Sequence, residues 1–220
     1  MLEVLTYETL RSAAARFCRE LSNQPIPALY GITDGKAVGT FVEVGFNDFI
    51  AENYEFIRGN AAKGIDFPSL DTDLKVTSIK QPQSSCPFRD ATQKVYGLAY
   101  NLLVMVYEKR DDTAEHAATL DFKHVILIDK ASTADFQLTR AIRAILDRDG
   151  NADDIDAFLE DKNLPLDFVS RRQLAERLLQ EPPELGMITM SNALQWRLQY
   201  GHAIKAVVQG DPDGLEDLLA

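Results

Sequence analysis

The chain has 220 residues, of which 45% are hydrophobic, and this length and composition predict a folded unit with a sizeable core. Its 23 basic and 34 acidic residues give a net charge of −11, which by itself argues against a polyanionic partner. Cys18 and Cys86 lie far apart with no histidine cluster beside them, so neither a disulfide framework nor a structural zinc site is expected.

The first two predicted elements are helices. Apolar residues at helical spacing predict a helix over Tyr7 to Leu21, and two prolines after it end the pattern. A second apolar stripe predicts a helix that runs to about Tyr54, with Thr40 as its N-cap. Glu43 follows Thr40 by three residues, which is the spacing of a capping-box partner.

A β-hairpin is predicted next along the chain. Gly64 to Phe67 is strand-like, and Pro68-Ser69 is typical of a turn. Asp71 to Lys80 then alternates in polarity and is rich in β-branched residues, which indicates the second strand. The turn is therefore expected at about Pro68 to Asp71.

The elements that follow predict an α/β fold of the α+β type. A helix is expected over Asp90 to Gly97, buried strands over Asn101 to Lys109 and His124 to Asp129, and a helix over Ala134 to Leu146. Short apolar runs flanked by helices are what a sheet covered on both faces requires. We therefore expect a mixed central β-sheet flanked by helices.

Beyond Asn151 only helices are expected. Ser170 and Gln173 indicate a capping box for a helix over Arg171 to Leu179, and Ser191 opens a segment that runs to about Gln209. We expect residues 1–150 to form the core of the protein and residues 151–220 to form a helical C-terminal subdomain that packs with it as one compact unit.

The charges are unevenly distributed along the chain. From Leu74 to Lys94 four basic residues stand against one acid, and from Leu185 to Gly210 there is no acid at all. Much of the acidity is instead concentrated between Asp147 and Asp161. The first two stretches could therefore face phosphate despite the negative net charge.

One group of charged residues in the predicted hairpin has the character of a metal site. Side chains alternate along a strand, so Asp73 and Lys75 project together, and Asp66 on the first strand comes opposite them. Paired carboxylates suit a hard divalent cation such as Mg²⁺. Glu43 is a fourth candidate, either as a ligand of a second metal or through a bridging water, although the helix-cap interpretation explains it equally well.

Such a group has the parts that phosphodiester hydrolysis needs. A metal held by Asp66 and Asp73 would neutralise charge that builds on the phosphoryl group and on the departing 3′ oxygen. Lys75 would orient or deprotonate the attacking water. A surface ion pair is the alternative explanation for an isolated Asp-x-Lys.

The same residues resemble a known signature. Asp66 followed by Asp73-Leu74-Lys75 resembles the PD-(D/E)xK nuclease motif, and the stretch from Arg58 to Phe88 is similar to type II restriction endonucleases. The resemblance implies a restriction-endonuclease-like fold, Mg²⁺ as cofactor, and a homodimer acting on a short DNA site. Ile65 replaces the name-giving proline, Asp73 replaces the commoner glutamate, and the short spacing leaves Asp71 as an alternative acid.

Two segments are candidates for DNA contact. The segment after the catalytic strand is rich in amides and hydroxyls, which can hydrogen-bond phosphates or base edges, although a plain polar loop would have a similar composition. Its candidate residues are Lys80, Gln81, Gln83, Ser84, Ser85 and Arg89. In the acid-free tail, Arg197 is a further candidate, and its neighbours also provide a core or dimer face.

The sequence thus predicts a site-specific endonuclease that cuts double-stranded DNA by Mg²⁺-dependent hydrolysis, leaving 5′-phosphate and 3′-hydroxyl ends. The alternatives are a structure-specific repair or junction nuclease of the same fold, or a catalytically silent DNA-binding module. The charged N-terminal segment is not typical of a signal peptide, and no apolar run approaches the roughly 20 residues that span a bilayer. A cytoplasmic location without a membrane partner is expected.

Overall fold

The computed structural model describes residues 2–59, 64–86, 90–191, 197–210 and 213–220. The α-helices in these ranges are α1 (Tyr7–Leu21), α2 (Gly35–Asn53), α3 (Gln93–Tyr96), α4 (Phe136–Leu146), α5 (Ala152–Asp161), α6 (Phe168–Gln180) and α7 (Gly201–Gln209). The strands are β1 (Glu3–Val4), β2 (Tyr54–Glu55), β3 (Thr72–Ser78), β4 (Gln83–Ser85), β5 (Asn101–Asp112), β6 (Ala117–Ile128), β7 (Thr189–Met190), β8 (Arg197–Gln199) and β9 (Leu215–Asp217). Among the described helices, none combines the length and the apolar character needed to cross a bilayer.

The central sheet has four strands in the order β3-β5-β6-β9. Strands β3 and β5 are parallel, with Thr72 opposite Asn101 and Ser78 opposite Tyr107, whereas β6 is antiparallel to both β5 and β9. The predicted mixed sheet of an α+β fold is therefore confirmed. Among the described strands, β3 lies at one edge of this sheet, so that only the bridge between Phe67 and Thr72 pairs with the other side of its backbone.

Both faces of the sheet are covered, as the apolar runs predicted. On one face Leu74 and Leu103 pack in a core with Phe46 of α2 and residues of α1. On the other face Leu102 and Val104 pack with residues of β7, β8 and α7. Helices α4, α5 and α6 share a third, separate apolar cluster.

Helix α2 begins earlier than the sequence predicted. Its N-cap is Asp34, whose carboxylate accepts hydrogen bonds from the backbone N–H groups of Lys36 and Ala37. The prediction of Thr40 as N-cap is wrong, because the Asp34 carboxylate already satisfies the first turn and Thr40 lies inside the helix. Glu43 is consequently not a capping partner, so the helix-cap interpretation does not explain its position.

The prediction that only helices follow Asn151 is also wrong. Strands β7, β8 and β9 form there, and β9 completes the far edge of the central sheet beside β6. The capping box predicted for α6 is not used, because Asp167 caps this helix and its carboxylate accepts from the Ser170 N–H at 2.9 Å. These short strands depend on partners distant in sequence, which local periodicity cannot reveal.

Candidate active site

A tight turn places Asp66 beside β3. Phe67 and Thr72 exchange two backbone hydrogen bonds around a 3-10 helix over Pro68–Leu70, and Asp71 closes the turn in the left-handed region with φ of 45°. The predicted turn is confirmed, but the first strand of the predicted hairpin is reduced to this single bridge. Asp66 therefore lies against the open edge of β3 rather than across a two-stranded ribbon.

Asp66 is fixed at that edge by its side chain and its backbone. Its Oδ2 accepts a hydrogen bond of 2.9 Å from the backbone N–H of Leu74. Its carbonyl accepts a second bond of 2.9 Å from the N–H of Gly59. A Cβ at Gly59 would lie 1.9 Å from the carbonyl oxygen of Ile65, so only glycine fits there. The role of Gly59 was missed from the sequence.

Asp73 and Lys75 project together from β3, as the strand alternation predicted. Lys75 Nζ lies 2.6 Å from Asp73 Oδ2 in an ion pair, and the Asp73 side chain is only 4% exposed. Asp66 also lies within hydrogen-bond reach of the Asp73 carboxylate, so two acidic side chains meet beside one ammonium. Two neighbouring carboxylates in a buried site repel each other when both are ionised, and a bound cation would offset this repulsion.

The protonation equilibria of these groups are perturbed. Burial raises the pKa of Asp73 to about 7 against the opposing charge of Lys75, and the neighbouring Asp66 adds to the rise. Burial disfavours the charged form of Lys75, but the Asp73 and Asp66 carboxylates outweigh it, so the pKa of Lys75 is raised. Lys75 is thus an ammonium at neutral pH.

Glu43 reaches the same group of charges from α2. This helix runs close along β3, since a Cβ at Gly39 would lie 3.9 Å from the carbonyl oxygen of Val76. Burial raises the pKa of Glu43, and the charge of Asp66 adds to the effect while Lys75 opposes it. The four residues predicted as catalytic, Glu43, Asp66, Asp73 and Lys75, therefore act on one another electrostatically.

Asn47, one helical turn after Glu43, is a buried polar residue that the sequence did not single out. Its Nδ2 donates a hydrogen bond of 2.8 Å to the Glu43 carbonyl. Its Oδ1 is buried without a hydrogen-bond partner in the described part of the chain. No sequence signal distinguished this amide from any other helical asparagine.

The donor set fits a magnesium ion better than a cation that needs a complete protein cage. Within the described ranges no three His, Cys, Asp or Glu side chains meet as a metal site. Mg²⁺ is usually held by one or two carboxylates, with water and substrate phosphate supplying its other ligands. Asp66 and Asp73 provide two neighbouring carboxylates, and Asp66 contributes to the raised pKa of Asp73. Asp71 is exposed and forms part of the turn, so Asp73 is the better candidate of the two for a metal ligand.

A layer of hydroxyl and thiol groups lies beside the Asp73 carboxylate. Ser84 Oγ is 2.6 Å from the Tyr200 hydroxyl, and Cys86 Sγ is 3.6 Å from the Tyr100 hydroxyl. Burial raises the pKa of both phenols, and the charge of Asp73 contributes to each rise. The two phenols are therefore neutral donors and acceptors.

The two segments predicted to contact DNA lie side by side. Strand β4 pairs antiparallel with β8, so that Gln83 is opposite Gln199 and Ser85 is opposite Arg197. Lys80 and Gln81 are exposed in the short connection from β3 to β4, and Ser84 is half-buried against Tyr200. The candidate Arg89 lies outside the described residues. The structure thus joins segments that are more than 100 residues apart in sequence.

The chain is similar to known proteins over nearly its whole length. A family model described as "Type II restriction enzyme NspV" matches residues 4–217 of the chain. The curated type II restriction enzyme NspV of Nostoc sp. (strain ATCC 29411 / PCC 7524) is 52% identical over 210 residues, which cover 96% of each of the two chains. No solved structure matches the chain.

Proposed function

This chain belongs to the NspV family of type II restriction enzymes and is a site-specific DNA endonuclease; we propose that Asp66, Asp73 and Lys75 are its active centre. The observation that supports this assignment is that the buried Asp73 carboxylate lies 2.6 Å from the Lys75 ammonium and within hydrogen-bond reach of Asp66. Enzymes of this type generally use divalent metal ions, and we propose that the ion here is Mg²⁺.

Asp66 and Asp73 would hold the ion. When bound, Mg²⁺ would neutralise charge on the scissile phosphate and on the departing oxygen. Asp66 is suited to this role because the Leu74 N–H donates to its Oδ2 and orients the carboxylate, which lies within hydrogen-bond reach of Asp73. The Gly59 N–H holds the backbone of Asp66 at the same edge.

Lys75 would act as a charged donor. Its raised pKa keeps the ammonium protonated, so it can hydrogen-bond the attacking water or a phosphate oxygen but is a poor base in this state. Attack of water on phosphorus forms one P–O bond and breaks the bond between phosphorus and the 3′ oxygen, and the proton that the water gives up to solvent is balanced by the proton that the departing 3′ oxygen takes up. The products would be 5′-phosphate and 3′-hydroxyl ends.

Glu43 would support the centre from α2. Its carboxylate is half-buried and feels the charges of Asp66 and Lys75. A water held by Glu43 could serve as a ligand of the ion or as the nucleophile. This role gives a function to a half-buried glutamate that caps no helix and feels the charges of Asp66 and Lys75.

The enzyme is proposed to act on double-stranded DNA as a homodimer in the cytoplasm. Two copies related by a two-fold axis would present one active centre to each strand of a symmetric site. The residues proposed to contact DNA are Lys80, Gln81, Gln83, Ser85, Arg89 and Arg197, whereas the side chain of Ser84 meets the buried Tyr200 hydroxyl on the inner side of its strand. Lys80 and Arg197 are exposed and form no ion pair with any described residue, so their charges are available to phosphate or bases.

A matched pair of variants tests the active centre. Asp73→Asn should abolish Mg²⁺-dependent cutting of plasmid DNA into discrete bands, whereas Asp71→Asn should cut normally, because asparagine tolerates the left-handed turn position. Lys75→Ala should also stop cutting while leaving DNA binding measurable. Normal cutting by Asp73→Asn, or undiminished cutting in EDTA, would contradict the assignment. If the wild type cleaves only branched DNA, a structure-specific repair or junction nuclease is favoured. If the wild type binds DNA without cutting it, a catalytically silent DNA-binding module is favoured.

A further inference from the structure

A small antiparallel sheet next to the active centre has one buried and one polar face. Its strand order is β4-β8-β7. Ser84, Leu198 and Met190 are paired across it, and Leu198 and Met190 are buried in the core. Ser84 points the same way, since its hydroxyl meets that of the buried Tyr200.

Strand alternation therefore puts a second set of residues on the opposite, outer face. This outer face consists of Gln83, Ser85, Thr189, Arg197 and Gln199. Gln83, Gln199 and Thr189 form one row across the three strands, and Ser85 and Arg197 form the next. Two primary amides are thereby placed side by side on neighbouring strands.

The side chains of the outer face are available for an external partner. Ser85, Arg197 and Gln199 are exposed, while Gln83 and Thr189 are partly exposed. None of the five side chains hydrogen-bonds or ion-pairs with another residue in the part of the chain that the structure describes. The face also carries no carboxylate, in a chain whose net charge is −11. Its chemistry is that of amides, hydroxyls and one guanidinium.

The outer face is held rigidly relative to the active centre. Thr77 lies on β3 two residues after Lys75, and its Oγ1 accepts a hydrogen bond of 2.9 Å from the Gln83 N–H. The same hydroxyl lies 3.1 Å from the Gln83 carbonyl oxygen. Only four residues separate β3 from β4. A duplex whose phosphate lies at Lys75 would therefore place adjacent base pairs near this face.

We propose that the outer face enters the major groove of DNA and reads base edges there. The groove admits a narrow antiparallel ribbon, glutamine pairs bidentately with adenine, and arginine pairs bidentately with guanine. Gln83 and Gln199 would read A·T pairs, and Arg197 would read a guanine. Gln199 and Thr189 are additions to the contacts predicted from the sequence, and Ser84 anchors the ribbon from its inner face. This inference rests on the proposed function.

The test begins with the cut sequence of the wild-type enzyme, obtained by sequencing the ends of digested plasmid DNA. Binding of a duplex that contains this sequence, and of a scrambled duplex, is then measured in EDTA at one salt concentration. Gln83→Ala, Gln199→Ala and Arg197→Ala should each weaken binding of the specific duplex by about 5- to 150-fold, the cost of one lost bidentate contact. Binding of the scrambled duplex should be nearly unchanged for the two glutamine variants.

Gln180→Ala, an exposed glutamine on α6, is the matched control and should bind both duplexes as the wild type does. Urea unfolding of each variant shows whether it is folded. If the wild type cuts at a discrete sequence and the Gln83→Ala, Gln199→Ala double variant keeps the same preference, the inference is overturned while the proposed function stands. If the wild type makes no discrete cuts, the proposed function fails first. If the double variant cuts with a specificity that is relaxed only at A·T positions, the result supports both the inference and the proposed function.

Discussion

The carboxylate of Asp66 accepts a hydrogen bond from the backbone N–H of Leu74, 2.9 Å away, at the open edge of the central sheet. Edge strands of this kind carry backbone groups that need a partner. Asp66 thus supplies a hydrogen-bond acceptor to the backbone of β3 at Leu74. This position lies between Asp73 and Lys75, the two residues of the strand that carry the proposed chemistry. One side chain thus has a structural role and a proposed role in metal binding.

The two duties of Asp66 can be separated. Asp66→Asn keeps an oxygen that can accept from Leu74 but loses the charge needed for a metal ion, so cutting should be lost with little change in stability. Asp66→Ala should also lose cutting and, in addition, lower the free energy of unfolding by roughly 1 to 3 kcal/mol, because a backbone N–H loses its partner. Urea unfolding and plasmid cleavage measure the two effects. Full activity of Asp66→Asn would exclude the ligand role.

Gly59 should be essential although it bears no functional group. A Cβ there would lie 1.9 Å from the Ile65 carbonyl oxygen and 2.9 Å from the Asp66 Cα, so Gly59→Ala must displace Asp66. A displacement of about 1 Å commonly reduces a rate by about 100-fold. Single-turnover cleavage is the measurement. Gly35→Ala, where an added Cβ meets no atom within 4 Å, is the control and should cut normally.

The stability of the metal-free protein should depend on Asp73 and pH. Its folded-state pKa of about 7 lies above the ordinary value of 3.8, so the folded state holds the proton more tightly between these values. The stabilisation is therefore complete below about pH 4 and is lost as pH rises through 7, by roughly 2 to 4 kcal/mol. Urea unfolding in EDTA at several pH values measures the loss.

Asp73→Asn should remove this component of the pH dependence, because the amide does not titrate. The difference between wild type and variant isolates it from the other groups. Equal pH profiles for the two proteins would show that Asp73 ionises normally. Whereas the free energy of unfolding falls as pH rises, the cleavage rate should increase between pH 6 and 8, since ion binding needs the ionised carboxylate.

Glu43→Gln should lower the cleavage rate by about 10- to 100-fold, the usual effect of removing a group that supports a metal centre. The Mg²⁺ concentration for half-maximal cutting should increase as well. Glu52→Gln, an exposed glutamate on the same helix, should change neither quantity. An unchanged rate for Glu43→Gln would leave this residue without a part in the reaction.

The N-cap of α2 gives a prediction that distinguishes the cap seen in the structure, Asp34, from the cap expected from the sequence, Thr40. Asp34→Ala should cost about 1 kcal/mol of stability, because its carboxylate caps two backbone N–H groups. Thr40→Ala should change the free energy of unfolding by less than about 0.5 kcal/mol, since Thr40 is an exposed residue inside the helix. Chemical unfolding of both variants is sufficient to decide. The reverse order of effects would restore the capping role predicted for Thr40.

The parts of the fold that the sequence predicted are those with local causes. Helix α1, the turn at Pro68 and strand β3 follow from periodicity and turn residues within a few positions. The alternation of β3 was enough to place Asp73 and Lys75 together. The turn brought Asp66 to them even though the expected first strand is only a single bridge.

The parts that were missed depend on long-range contacts. Strands β7 to β9 are two or three residues long and exist because β4 and β6 offer them backbone partners. Gly59 matters only through the close approach of Ile65 and Asp66, which no spacing rule reports. The N-cap of α2 was misassigned because a second suitable residue, Asp34, lay six positions upstream of Thr40.

The Asp73–Lys75 ion pair is largely buried in an apolar sheet. Its presence implies a conflict between the stability of the protein and its proposed catalytic role. Well-packed apolar residues in place of a buried ion pair often make a protein more stable. Selection for heat resistance alone would therefore favour a pair such as Asp73→Leu with Lys75→Met. The resulting protein should melt at a higher temperature and still bind its DNA sequence, and so would serve as a reagent that marks such sites without breaking the strands.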